Sequence, residues 1–228
     1  MAFRKKAELI LQYEPDILII PECEHPDKLK FPGSVKLPTD IVWYDDNPNK
    51  GLGIFSYGDF KLQLLPIHNP NLKTILPISV MGGAVEFTLF GIWANNPLDI
   101  NNQFIEQIWK AIHYYDDLIT HEKTILIGDF NSNTIWDRKH RKENHSAVVE
   151  ILESRKVKSV YHHHFQHMQG KEEHATFHLY KHFDKPYHID YCFASDDFIS
   201  KLNSVEIGGY SDWKTYSDHL PLIVNFDI

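Results

Sequence analysis

The residues of this chain best suited to chemistry are Asp129 and Asn131, within Ile127-Gly128-Asp129-Phe130-Asn131. They follow the apolar run Thr124-Ile125-Leu126, so the segment reads as a buried strand that ends in a polar elbow. A strand continuing through both would aim the carboxylate and the carboxamide at one face. The alternative is a local turn closed by side-chain-to-backbone bonds, as Asp and Asn often form. Three other elbows have the same character. Asp16–Pro21 is apolar and runs into Glu22. Tyr187-His188-Ile189-Asp190-Tyr191-Cys192 is a strand with Asp190 inside it. Ser217-Asp218-His219-Leu220-Pro221 sets an Asp-His pair before the final strand. Carboxylates at strand ends suit a hard cation such as Mg²⁺ or Mn²⁺. A carboxylate beside an imidazole fixes its tautomer and raises its basicity.

The order Glu22, Gly128-Asp129-Phe130-Asn131, Ile189-Asp190-Tyr191 and Ser217-Asp218-His219-Leu220-Pro221 resembles the endonuclease/exonuclease/phosphatase superfamily. Its members include DNase I, exonuclease III and several lipid and nucleotide phosphatases. The resemblance runs from Ala7 to Asn225 and implies a four-layer α/β/β/α sandwich, with two mostly antiparallel sheets and outer helices. It implies hydrolysis of a phosphodiester by an activated water with Mg²⁺ or Mn²⁺ as cofactor, and a nuclease acting on DNA or RNA. Glu22 is then the principal metal ligand, and Asp218 a second ligand or a further base. Asp129 orients or deprotonates the water, and Asn131 hydrogen-bonds a phosphate oxygen. Asp190 and His219 form a pair around the phosphorus. Asn95 ends the strand Ile92-Trp93-Ala94, where nuclease relatives place a His or Tyr near the phosphate. His188 stands where relatives carry Arg, and contacts phosphate or faces solvent. Arg138, in Arg138-Lys139-His140-Arg141-Lys142, clamps a nucleic-acid backbone or belongs to a solvated surface loop. The same core serves small-molecule and lipid phosphatases, so a phosphate ester of that kind is the alternative substrate. A catalytically weakened binding protein is a third reading.

Relatives open with a central strand carrying an Asn, ahead of the helix expected here at residues 2–14. This sequence begins at the helix, so a gap or a new edge among the strands is expected, with weakened activity.

A length of 228 residues with 43% hydrophobic content suits one domain, taken as residues 1–228. The net charge of −8 counts against tight sequence-neutral duplex binding. Cys23 and Cys192 do not make a disulfide scaffold. The polar residues Glu8, Gln12 and Glu14 break the start, which is not a signal peptide. No apolar run is long enough to span a membrane. The expected location is cytoplasmic.

The elements expected to position the site follow from periodicity. Strands are expected within Ser34–Tyr44 and at Gly53–Tyr57, Phe60–Ile67, Thr74–Val80 and Glu86–Ala94, with a Gly82-Gly83 hairpin between the last two. Helices are expected at Asn101–Ile119 and His145–Arg155. Further strands are expected at Val157–Phe165, Ala175–Tyr180, Tyr187–Ala194, Val205–Ile207 and Leu220–Phe226. The tract His162-His163-His164, with His167, His174, His178 and His182, resembles a metal-binding composition. Read as a strand, it cannot aim all three consecutive histidines one way, so no dedicated zinc site is expected.

Overall fold

The computed structural model describes residues 3–95, 103–121 and 123–228. The strands are β1 (Ile17–Cys23), β2 (Asp40–Tyr44), β3 (Gly51–Ser56), β4 (Lys61–Leu64), β5 (Ile75–Met81), β6 (Phe87–Trp93) and β7 (Thr124–Asp129). They continue with β8 (Val157–Ser159), β9 (Phe177–His178), β10 (Pro186–Tyr187), β11 (Asp190–Ser195), β12 (Leu202–Ile207) and β13 (Leu222–Phe226). One six-stranded sheet has the order β4-β5-β6-β7-β11-β8. All of its pairs are antiparallel except β6 with β7. The second layer comes in two pieces, β1-β3-β2 and β12-β13. The expected gap among the strands is therefore present, between β1 and β13.

Three apolar clusters hold four layers together. Ile108, Ala111 and Ile112 recur at helical spacing along Ile105–Tyr114 and, with Val148 and Leu152 of the helix His145–Ser154, cover Phe90, Leu126 and Phe193. On its other face the six-stranded sheet packs Ile78, Leu89 and Cys192 against Leu52, Ile54 and Val205. Phe3, Ala7, Ile10 and Trp213 close the far side over Ile20 and Phe55. The order is helix, sheet, sheet, helix, and β6 is buried on both faces, as its unbroken apolar sequence requires.

Several elements differ from expectation. Residues 34–39 are irregular, and only Asp40–Tyr44 is strand. The first helix is one short α-helical segment, Ala7–Ile10, between two 3₁₀ turns; Glu14 takes a left-handed φ of 50° and Pro15 ends it. The helix expected over Asn101–Ile119 resolves into Ile105–Tyr114 and Asp116–His121, and residues 101–102 lie outside the described residues. The Val157–Phe165 strand stops at Ser159, and Val160–Phe165 is helical. The Ser159 hydroxyl lies 2.7 Å from His162 Nδ1, a three-residue reach natural to a helix start. His162 therefore turns inward to Glu172 at 3.0 Å, while His163 and His164 are exposed. β5 and β6 form the expected hairpin, but over a longer link of residues 82–86, in which Gly82 takes a φ of 85°.

Candidate active site

Asp129 is the last residue of β7, and its cross-strand partners are Trp93 on β6 and Asp190 on β11. Directly opposed residues stand about 5 Å apart at Cβ on the same face of the sheet. Register alone thus brings the two carboxylates together. The chain reaches this point through Gly128, whose φ of 143° and approach to Ile92 leave no room for a side chain; an added Cβ would meet the Ile92 carbonyl oxygen.

Asn131 arrives by a turn and not by continuing the strand. Its φ is 47°, its N–H donates to Asp129 Oδ1 at 2.8 Å, and its Nδ2 donates to Oδ2 at 2.8 Å and to the Ala94 carbonyl at 3.0 Å. The local turn and the converging site are one and the same feature here. Both carboxylate oxygens of Asp129 are held in place by a single neighbour.

His219 faces the pair from the loop before β13. Its Nδ1 lies 3.0 and 3.2 Å from the two Asp190 oxygens, and the Ser217 hydroxyl accepts the His219 N–H at 3.1 Å. Phe177 packs against the imidazole with centroids 4.7 Å apart. Asp190 is fixed in turn by Thr176, whose Oγ1 accepts the N–H groups of Ile189 and Asp190, both at 3.0 Å. One ligand atom from each of Asp129, Asp190 and His219 lies within 4.8 Å of the others.

The electrostatics follow from this crowding. Burial, then the adjacent Asp190 charge, push the Asp129 carboxyl well above the ordinary carboxylate range, against the pull of His219 and the Asn131 N–H. Burial alone would lower His219, but the Asp190 charge and hydrogen bond reverse this and hold it in the protonated direction. The cluster thus binds positive charge already. Two carboxylates from adjacent strands, with an imidazole beside them, suit a hard divalent cation that keeps several water ligands.

The two residues read from sequence as metal ligands sit at the rim. Glu22 takes a left-handed φ of 57° at the irregular end of β1, and its carboxylate pairs with Lys50 at 2.8 Å. Glu22 and Asp218 line the same cavity as Asp129, Asp190 and His219. Neither belongs to the tight group of three. Asn95 and Asn131 line a second groove of about 1090 Å³ together with Glu22, Lys50, Lys73 and Trp93. Trp93 is 5% exposed and belongs to the core, leaving little ring for a base to stack on.

One expectation does not hold in the structure. His188 is 4% exposed, with Nδ1 on the His174 carbonyl at 2.8 Å and its ring against Tyr161 and Tyr191, so it offers no surface to phosphate or to solvent. Asp190 begins β11, and His188 lies two residues before it, in the short link from β10, with its side chain buried. Arg138 is exposed and lines neither cavity, in keeping with the alternative of a solvated surface loop. Arg141 of the same loop pairs with Glu106 and is spent on structure. Thr176 and Phe177 had no signal in the sequence, since each acts on a residue distant in the chain that only the fold brings near; Ser217 stands in the motif that carries His219. Lys6 lines the cavity shared by Asp129, Asp190 and His219; burial lowers its pKa, while Cys23, Asp218, Glu22 and Asp190 pull it back up.

No protein-family model and no curated protein sequence matches the chain. Solved structures do. An AP endonuclease from Archaeoglobus fulgidus superimposes with a TM-score of 0.69 at 15% identity, covering 100% of this chain and 96% of its own. The 3′ phosphatase NExo from Neisseria, bound to a product DNA hairpin, gives 0.68 at 18% identity, with 100% and 96% covered. This chain has the endonuclease/exonuclease/phosphatase fold. Truncated Caenorhabditis elegans TDP2 has the same architecture, at a TM-score of 0.63 and 14% identity over 96% of this chain and 88% of that one. The DNase I-like sandwich explains why four elbows far apart in sequence meet at one edge of the paired sheets.

Proposed function

We propose that this chain is a single-domain, divalent-metal-dependent phosphodiester hydrolase, and within that class a nuclease. The observation that carries the reading is the convergence of Asp129, Asp190 and His219 from three separate segments. The superimposed proteins support the substrate class: one is an AP endonuclease and another was solved with a product DNA hairpin.

The side chains divide the work as follows. Asp129, locked by Asn131, orients the attacking water and accepts its proton. His219, kept protonated by Asp190, donates toward the phosphoryl oxygens as negative charge builds there. Asp190 holds the imidazole tautomer and contributes an oxygen to the cation. Glu22 and Asp218 would complete the oxygen donors from the rim. A bound Mg²⁺ or Mn²⁺ supplies neutralisation of the phosphoryl charge and a more acidic water. Lys50 and Lys73, in the groove past Glu22 and Asn131, suit the phosphates that flank the scissile bond.

The net charge of −8 favours a second reading, a small phosphate ester at the same site. Incubating duplex DNA, single-stranded DNA, RNA and a generic phosphomonoester with Mg²⁺, Mn²⁺ or EDTA separates the two. Metal-dependent cutting of a polynucleotide supports the nuclease. Turnover of the monoester alone replaces it with a phosphatase. Inertness toward the whole panel contradicts both. No helix among the described residues is long and apolar enough to cross a membrane.

A further inference from the structure

Behind the elbow that carries Asp129 and Asn131, six side chains close a ring of hydrogen bonds. Its two ends, Ser132 and Asn133, are the next two residues of the chain. Glu172 sets the direction of the ring. The side chains of His162 and Glu172 are 11% and 5% exposed. Burial raises the Glu172 carboxyl, but His162, Gly170 and Asn133 draw it down to about 2, so the group is a carboxylate and only accepts. His162 Nε2, 3.0 Å from Glu172 Oε1, therefore carries a proton. Its Nδ1 accepts from the Ser159 hydroxyl at 2.7 Å and from Gln169 Nε2 at 3.2 Å. The Gln169 amide, so oriented, turns Oε1 to His145 Nε2 at 3.3 Å, and that nitrogen carries the proton. His145 Nδ1 is left to accept the Ser132 hydroxyl at 2.8 Å. On the other side Asn133 Nδ2 donates to Glu172 Oε2 at 3.2 Å and closes the ring. Every donor of the long arm points one way, from Ser132 to Glu172, so each bond polarises the next.

The ring also reaches the second elbow. Asn133 Nδ2 lies 3.0 Å from both the His188 carbonyl and the Tyr191 hydroxyl, on either side of Asp190 in the chain. The Tyr191 hydroxyl in turn lies 3.2 Å from the Ser132 carbonyl. No member of the ring lines either cavity, so the six act on a substrate only through the elbows. Asn131 turns at a φ of 47°, and the placing of the two residues after it decides how its N–H and amide meet Asp129. We infer that Glu172 is a positioning residue: through the ring and Asn133 it holds the Asn131 turn, and with it the Asp129 carboxylate, in the geometry that hydrolysis needs. The positioning stands on the geometry alone; its effect on rate rests on the hydrolase reading. Glu172→Gln keeps the volume and removes the charge. Its amide must then turn N–H groups toward Asn133 or His162, which are both donors there.

The test compares the intact parent with Glu172→Gln, with Ser132→Ala, which opens the ring at its other end, and with the double variant. Amide hydrogen exchange is read at Asn131 and, as a reference for global stability, at Leu126 within β7. Steady-state hydrolysis of a DNA substrate in Mg²⁺ gives kcat and KM. In Glu172→Gln the Asn131 amide should exchange about ten-fold faster or more, with Leu126 unchanged. Its kcat should fall on the order of 10–10²-fold, with KM within about three-fold of the parent. Ser132→Ala, the milder cut, should speed Asn131 exchange in the same direction, so the test stands even where Glu172→Gln does not fold. The double variant should be no worse than the worse single one, because both open one ring. Exchange at Asn131 that stays at the parent's rate overturns the inference. So does a joint rise at Asn131 and Leu126, since Glu172 then supports only global stability, and so do effects of the two substitutions that add. If the parent leaves DNA uncut, the hydrolase reading fails and exchange alone decides the positioning. With an active parent, a parent-like kcat in Glu172→Gln overturns it as well.

Discussion

Thr176 shows how much of the site depends on a residue that does no chemistry. Its hydroxyl accepts two successive N–H groups and so sets the backbone from which Asp190 projects. It is fully buried, and water has no route to replace it. Thr176→Val should cost about 1–3 kcal/mol of stability, because two buried donors lose their acceptor. It should also slow metal-dependent hydrolysis, while Thr176→Ser keeps the hydroxyl and restores both. Denaturant unfolding and initial rates on the three proteins check this. The residues proposed to react stand out in the sequence, since Asp129, Asn131, Asp190 and His219 each lie in or beside an apolar run, and the structure places them together. Thr176 was not, because its partner lies 14 residues on and only the fold makes them neighbours. His188 misled for a related reason. Spacing puts it two residues from Asp190, but it lies outside β11 and burial takes the imidazole out of reach.

At the scale of elements, the strand β7 is central, since it pairs with β6 and β11 and carries Asp129 at its end. Gly128 makes that end possible. Gly128→Ala should destabilise the protein by several kcal/mol, on the order of 3 or more, from a strained φ and a clash with the Ile92 carbonyl. Thermal unfolding would show it; a Tm within a degree or two of the parent would mean that the backbone shifts freely here. The strands of the six-stranded sheet were legible because their apolar runs are long. The histidine tract was not, because Val157–Phe165 is too short for periodicity to separate strand from helix. There the Ser159–His162 bond and the burial of Tyr161 decided for helix.

The whole molecule carries its own pH response away from the site. His145 is 1% exposed, bonded to Ser132 at 2.8 Å, and burial holds its imidazole down at about 4. A folded pKa below the unfolded value means that the unfolded chain takes the proton first. Stability is therefore full above pH 6.5 and falls as pH drops toward about 4, by roughly 3 kcal/mol for this residue. Glu172, drawn down to about 2 by His162, Gly170 and Asn133 in spite of its burial, extends the loss below pH 4.5. Asp129 and His219, whose folded pKa values are raised, change stability in the opposite sense over this range, so the His145 contribution is read as a difference: between pH 7 and pH 4.5 the parent should lose more stability to urea, or gain less, than His145→Gln, and an equal change in the two would show that His145 is protonated in the folded state. The layered architecture was legible as a whole, since the apolar runs and the elbow order imply it. The extent of the gap between β1 and β13 was not, because no local pattern records which strand edges remain unpaired. The central claim is that Asp129, Asp190 and His219 act together on a phosphodiester with a divalent cation. Its most direct test is single-turnover cleavage of a DNA substrate in Mg²⁺ and in EDTA by the parent protein, Asp129→Ala and His219→Ala, with matched circular dichroism. The account predicts cleavage in Mg²⁺ only, lowered on the order of 10²–10⁴-fold in each variant. Parent-like cleavage by either folded variant, or cleavage that survives EDTA, would contradict it.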